Sequence, residues 1–219
     1  MIPLLKSSER AVRPNILGDL RFLSLVGQQS WQHLPNAVQA RFSKYLQPGK
    51  SVVYKGYVSH ARENLWGRML AQVSLLVGGP LPLGVEPGMA ATVVVSEDAA
   101  FQGQFWTRIY DRKVGFPQVI CSSKRFEGET GLEEYLGFGI HMALKVSANE
   151  KGLYFHSHKY LLRLLGLELA LPKLLSPGNL TISHIDVGAG EFDFVLELLH
   201  PVLGEMLYQK IRFHDEIDQ

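Results

Sequence analysis

Arg108 and Glu134 are the sharpest chemical candidates in this chain. Each falls in a segment whose side chains alternate, on a face shared with large groups: Trp106 and Tyr110 beside Arg108, Leu136 and Phe138 beside Glu134. A charge held among such neighbours must be paired or solvated. One reading has the Arg108 fork holding a carboxylate or phosphate while Glu134 orients it or accepts a proton. The other is an ion pair linking two strands. Trp106, Arg108, Tyr110, Glu134 and Tyr208 are therefore the candidate ligand-binding residues, and Glu134 the one candidate for catalysis. His156 and His158 stand two apart, a spacing that can bring two imidazoles to one metal. A third ligand would have to come from His141, His184 or a distant acid, and no HExxH-type spacing supports it, so no metal is expected. Ser122 and Ser123 beside Cys121 lack a G-x-S-x-G elbow and read as packing or hydrogen-bonding residues. No cofactor motif occurs; a glycine-rich dinucleotide fingerprint is absent from the chain.

The elements that would position these groups change character once along the chain. Residues 16–47 carry apolar positions at three- and four-residue spacing (Ile16, Leu20, Leu23, then Val38, Phe42, Tyr45), with Pro35 opening a second helix and Pro48-Gly49 closing it. The period then drops to two at Val52–Tyr57, and a further helix is expected over about 62–77, ended by Gly78-Gly79-Pro80. From 88 onward the chain reads as strands at 89–97, 103–112, 117–127, 131–138, 140–148, 152–160, 179–187, 190–199 and 206–214, with a short leucine-rich helix or loop at 161–178. The short gaps favour antiparallel hairpins. The fold class is α+β: a large curved antiparallel sheet (barrel, half-barrel or β-clam) with two N-terminal helices packed against it. One domain spanning 1–219 is expected, helical over 16–47, strand and helix over 50–78, and an antiparallel meander over 88–214.

Alternation gives each strand two faces. In 190–199 one is plainly apolar (Phe192, Phe194, Leu196, Leu198), whereas in 103–112 and 206–214 one face mixes aromatics with charge. Such a face either lines a cavity holding a small molecule or is a wet surface where Arg and Lys stems shield rings. The stripe Leu65, Trp66, Met69, Leu70, Val73, Leu76, Val77 either packs on the sheet or forms a lid or lipid-contacting surface, with the 78–84 stretch as its hinge.

Taken in order, Phe105-Trp106-Thr107-Arg108-Ile109-Tyr110, Ser122-Ser123, Leu132-Glu133-Glu134-Tyr135-Leu136-Gly137, Leu171-Pro172-Lys173-Leu174-Leu175-Ser176-Pro177, Phe192-Asp193-Phe194, Pro201-Val202-Leu203-Gly204 and Tyr208 resemble an uncharacterised bacterial domain family. Its members occur alone or behind a saccharopine-dehydrogenase-like NAD(P)-binding domain, and the resemblance runs from about Leu34 to Phe213. It departs at the end, where Gln209-Lys210 follows Tyr208 in place of an early glycine. The resemblance implies no known activity; it implies that a reductase, where one takes part, is a separate NAD(P)-dependent partner.

The 219 residues are 46% hydrophobic and 20% charged, with a formal net charge of +1. That balance argues against a nucleic-acid binder, which carries a basic stripe, and the lone Cys121 excludes an internal disulfide. The apolar stretches at 65–83 and 161–175 are broken by glycine, proline and polar residues before reaching a spanning length of about 20, and the N-terminus has no secretory pattern. Cytoplasmic placement follows as the expectation, with at most peripheral membrane contact. The function expected is binding of an apolar small molecule or lipid in a cavity; the alternatives are an isomerase-, cyclase- or hydrolase-like enzyme in the same cavity, or a structural domain with a filled interior.

Overall fold

A computed structural model describes residues 18–172 and 176–215. Ile16 and the Lys173-Leu174-Leu175 part of the motif above lie outside the described residues. Eleven strands form one sheet: β1 Ser51–Glu63, β2 Ala90–Asp98, β3 Gly103–Tyr110, β4 Gln118–Arg125, β5 Glu133–Gly137, β6 Ile140–Asn149, β7 Gly152–Leu164, β8 Leu167–Ala170, β9 Asn179–Gly188, β10 Glu191–His200 and β11 Gly204–His214. Every pairing is antiparallel. β1 pairs with both β2 and β11, and β6 pairs with β7, so the sheet closes into a barrel of ten strands with β8 as a flanking eleventh. Among the described residues β8 is the strand with a neighbour on one side alone.

The leucine-rich segment after residue 160 is not a helix. β7 runs on to Leu164 and turns into β8 through Leu165 (φ 51°) and Gly166 (φ 79°). Two consecutive positive φ angles are the signature of the two-residue hairpin turn that matches strand twist. Leucine hides this, because a turn of that kind ordinarily carries Asn or Asp at its first position.

Before the barrel come three short helices, α1 Arg21–Val26, α2 Gln28–Gln32 and α3 Asn36–Phe42; the first of the two expected helices is divided at Gly27 (φ 80°). Pro35 opens α3 as the sequence predicts. Between β1 and β2 lies α4 Leu65–Ser74, continued by a 3-10 turn Leu75–Val77 and ended at left-handed Gly78 (φ 101°). Asn64 caps α4 by accepting from the Gly67 N–H at 2.9 Å and donates its own amide to the Leu203 carbonyl at 3.0 Å. Gly67 is required: a Cβ there would lie 1.9 Å from the Met206 carbonyl oxygen of β11. The helix thus lies tight against the barrel wall.

Because strands alternate in direction, the barrel has two distinct ends. At one, where β1 begins, α1–α3 insert Phe22, Trp31, Val38 and Phe42 into the core. Phe42 meets Trp106, Phe155 and His184 with ring centroids 5.0–6.3 Å apart. At the other end, where β1 finishes, α4 and the loop after it cross the opening.

Candidate functional site: a cavity above a charged layer

β3 turns Gln104, Trp106, Arg108 and Tyr110 inward, the mixed aromatic and charged face, and leaves Phe105, Thr107 and Ile109 outside. β11 does the reverse. Leu207, Gln209, Ile211 and Phe213 point in, and its mixed face is external. Tyr208 is therefore on the outer wall, with the Arg62 guanidinium 4.5 Å above its ring. Lys210 and Arg212 on the same face pair with Asp193. Both readings of a mixed face occur, one on each strand.

The interior is layered. Against the helical plug lies an aromatic layer of Trp106, Phe155, Phe192 and Phe194 around His184. Burial, then the nearby Lys124 and Arg41 charges, hold the His184 imidazole well below its ordinary value, so it is neutral. Above this comes a charged layer. Lys124 of β4 faces Glu134 of β5 directly across the ladder, with Nζ 3.1 Å from Oε2 and both side chains 3% exposed. Ser122 Oγ donates to Glu134 Oε1 at 2.6 Å. Lys124 Nζ also sits 4.8 Å from the Trp106 ring centroid. Burial pushes Glu134 up, but the Lys124 and Arg108 charges and the Ser122 hydroxyl outweigh it and hold the carboxyl below its usual range. Burial pulls Lys124 down, and Glu134 resists.

The strand-to-strand ion pair is thus Lys124–Glu134, and sequence reasoning missed the lysine. Its signal was present: Ile120, Ser122 and Lys124 share one face, a charge in line with an apolar residue. Arg108 is 5% exposed and, among the described residues, has no carboxylate within 4.0 Å. Among the described residues its hydrogen-bond partners are neutral: the Pro80 carbonyl, at a long 3.4 Å, and the Tyr110 hydroxyl. Tyr110 is fully buried and donates to Gln209 Oε1 at 3.0 Å. Burial, resisted by Arg108 and Gln209, raises its phenol.

Above the charged layer is a cavity of about 400 Å³. Its walls are Leu136, Ile140, Met142, Tyr160, Leu180, Ile182, Leu196 and Leu198, and its roof is Leu70, Val73, Leu76, Val77 and Leu81. Arg108 and Glu134 line both this cavity and a gap of about 10 Å³ beneath it that also touches Trp106, Ser122 and Lys124. The two charged groups therefore form its floor. Tyr160 donates to the Gly178 carbonyl at 3.2 Å, and burial pushes its phenol up to about 12. The roof loop is tied down by inward-facing Gln118, which accepts from the Leu83 N–H at 2.9 Å and donates to the Leu81 carbonyl at 3.2 Å. Of the five candidate residues, the structure brings Arg108 and Glu134 to the cavity. Trp106 lies one layer below, Tyr110 is in the same wall but not in the lining, and Tyr208 is outside.

Val73 and Leu76 line the cavity yet are exposed, so they stand at its mouth. The turns at this end carry bare apolar tips: Leu76 79% exposed, Phe116 91%, Phe138 71%, Leu165 94% and Val202 83%. Phe138 (φ 49°) and Leu165 both sit at left-handed positions. At the plugged end the corresponding large tip, Phe101, lies under the Arg125 guanidinium 3.5 Å from its ring centroid.

His156 and His158 do not converge on one point. His156 faces Ser147 and Thr181, while His158 faces Glu129. Among the described residues one group, Glu127, Glu133 and His141, has metal-ligand reach within 4.8 Å. Arg163 occupies it, 2.6 Å from Glu133 and 3.2 Å from His141 Nδ1. Ser123 donates to Asp98, and Cys121 is exposed on the outer wall. No helix of the described residues is long and apolar enough to cross a membrane.

No curated protein and no solved structure matches the chain. A family model does, over residues 34–213, from the plug to the last strand. The chain belongs to the family described as Domain of unknown function (DUF4166).

Proposed function

We propose that this barrel is a binding domain for an apolar small molecule or lipid, held between the α4 roof and the Arg108–Glu134 floor. The observation that carries the reading is the cavity: about 400 Å³ lies within the range of about 300–1,000 Å³ typical of small-molecule sites, and its lining is almost wholly hydrocarbon with a few convergent polar groups. An interior left open at this size forgoes packing that a purely structural barrel would use. The bare apolar tips around the mouth support lipid as the class, since they can meet a lipid surface where the ligand is collected or delivered. Several charges at this end are paired, Arg62 with Glu205, Arg68 with Glu63, Lys113 with Glu86 and Arg163 with Glu168. Contact with lipid would then depend on apolar burial and little on anionic head groups.

Proton-transfer chemistry fits less well. A carboxylate held low by a lysine, an arginine and a serine is a weak base near neutral pH. Native mass spectrometry of protein purified without denaturation tests the binding reading: a bound apolar molecule is expected on the wild type and at lower occupancy on Leu136→Trp, whose larger side chain takes up part of the cavity. Bare protein in the first case, or equal occupancy in both, would overturn it.

A further inference from the structure

We infer that the molecule this cavity takes is an apolar-tailed carboxylic acid, and that Arg108 is the residue that holds its head. The inference rests on reading the cavity as a binding site and adds the chemistry of the ligand. The charged layer at and beneath the floor holds two cations, Arg108 and Lys124, against one carboxylate, Glu134. Glu134 is committed to Lys124 and to the Ser122 hydroxyl. Arg108 remains buried, facing the cavity, and hydrogen-bonds neutral groups, the Pro80 carbonyl at 3.4 Å and the Tyr110 hydroxyl, while Glu134 feels its charge without pairing with it. A guanidinium does not shed its proton, and it presents five donors in a planar fork. Leaving such a group buried with no carboxylate on its fork is costly, and one monoanion would both balance the charged layer and take up the fork.

The charge count separates the possible heads. A carboxylate supplies one negative charge beside Glu134. A phosphate monoester supplies about 1.5 to 2, more than the floor can balance with Glu134 ionised. The geometry also sets direction: the head lies deep, on Arg108, and the tail runs between Leu136, Leu196 and Leu198 toward Val77 under the roof. Arg108 also reaches Pro80 in the roof loop, so a head group competing for the fork is felt by the segment that covers the cavity.

The test is equilibrium binding of hexadecanoic acid, hexadecan-1-ol and hexadecyl phosphate to the wild type, Arg108→Met and Lys124→Met. The wild type is expected to bind the acid on the order of tenfold to a hundredfold more tightly than the alcohol, the span of a charged hydrogen bond, and more tightly than the phosphate. Arg108→Met should lose that preference while still binding the alcohol. Equal binding of acid and alcohol to the wild type, a preference surviving Arg108→Met, loss of preference only in Lys124→Met, or tighter phosphate binding would each overturn the assignment while leaving the cavity reading standing. Binding of none of the three would remove the cavity reading itself. The acid-to-alcohol ratio on the wild type decides the ligand class even where Arg108→Met does not fold.

Discussion

Lys124 and Glu134 meet inside a barrel where neither could remain charged alone. Breaking such a buried pair by removing one partner costs about 3–5 kcal/mol, because the other charge is left uncompensated. Glu134→Gln and Lys124→Met are each expected to lose stability on that scale in chemical denaturation, and the double variant less than the sum of the two. Additive losses would mean the pair is not coupled. His184 makes a second prediction. Its folded-state pKa lies well below the ordinary 6.5, so above about pH 6.5 neither folded nor unfolded chain holds the extra proton. Below that only the unfolded chain takes it up, and stability falls by about 1.4 kcal/mol per pH unit for this group. His141, lowered chiefly by its burial and by Arg163, acts in the same direction. Glu134, also lowered, adds its loss as pH drops below about 4.5. Denaturation midpoints measured over about pH 5–8 should therefore decline on the acid side of 6.5, and His184→Phe should take one proton's share from the slope. An unchanged slope would show that His184 titrates normally.

At the scale of elements, the mouth-end hairpins trade backbone comfort for exposed hydrocarbon. Leu165 has φ 51° and is 94% exposed. Asparagine tolerates the left-handed region better than leucine, so Leu165→Asn should raise thermal stability slightly, by a few tenths of a kcal/mol, while weakening sedimentation with phosphatidylcholine vesicles. Unchanged vesicle association would remove the tip from any lipid contact. The same hairpin marks where the sequence misleads: Leu161–Leu171 has no Asn, Asp or Pro to announce a turn, and its leucines fit a helical period as well as an alternating one. The strands from 89 to 160 and from 179 to 214 were legible because alternation and Gly or acidic turns agreed there. The faces were legible as lists but not as directions. Nothing local distinguishes Trp106-Arg108-Tyr110, which points inward, from Tyr208-Lys210-Arg212, which points outward; closure of the barrel decides it. Lys124 was missed for the same reason, its partner being ten residues away across a ladder.

Across the whole molecule, the helical plug, aromatic layer, charged floor and open cavity form one gradient along the barrel axis. The plugged end is filled with rings, and the other end keeps its volume under a roof held by Asn64, Gln118 and the close seat of Gly67 on β11. The hydrophobic share of 46% is accounted for by three uses: a core, a cavity lining and bare tips. Whether the open end accepts a guest is the central question, and a neutral solvatochromic dye such as Nile red answers it without invoking the charged floor. The wild type is expected to take up the dye saturably at one site, with a blue-shifted emission and an affinity that Leu136→Trp weakens at unchanged thermal stability. Absence of saturable uptake by the wild type, or identical uptake by Leu136→Trp, would contradict the account.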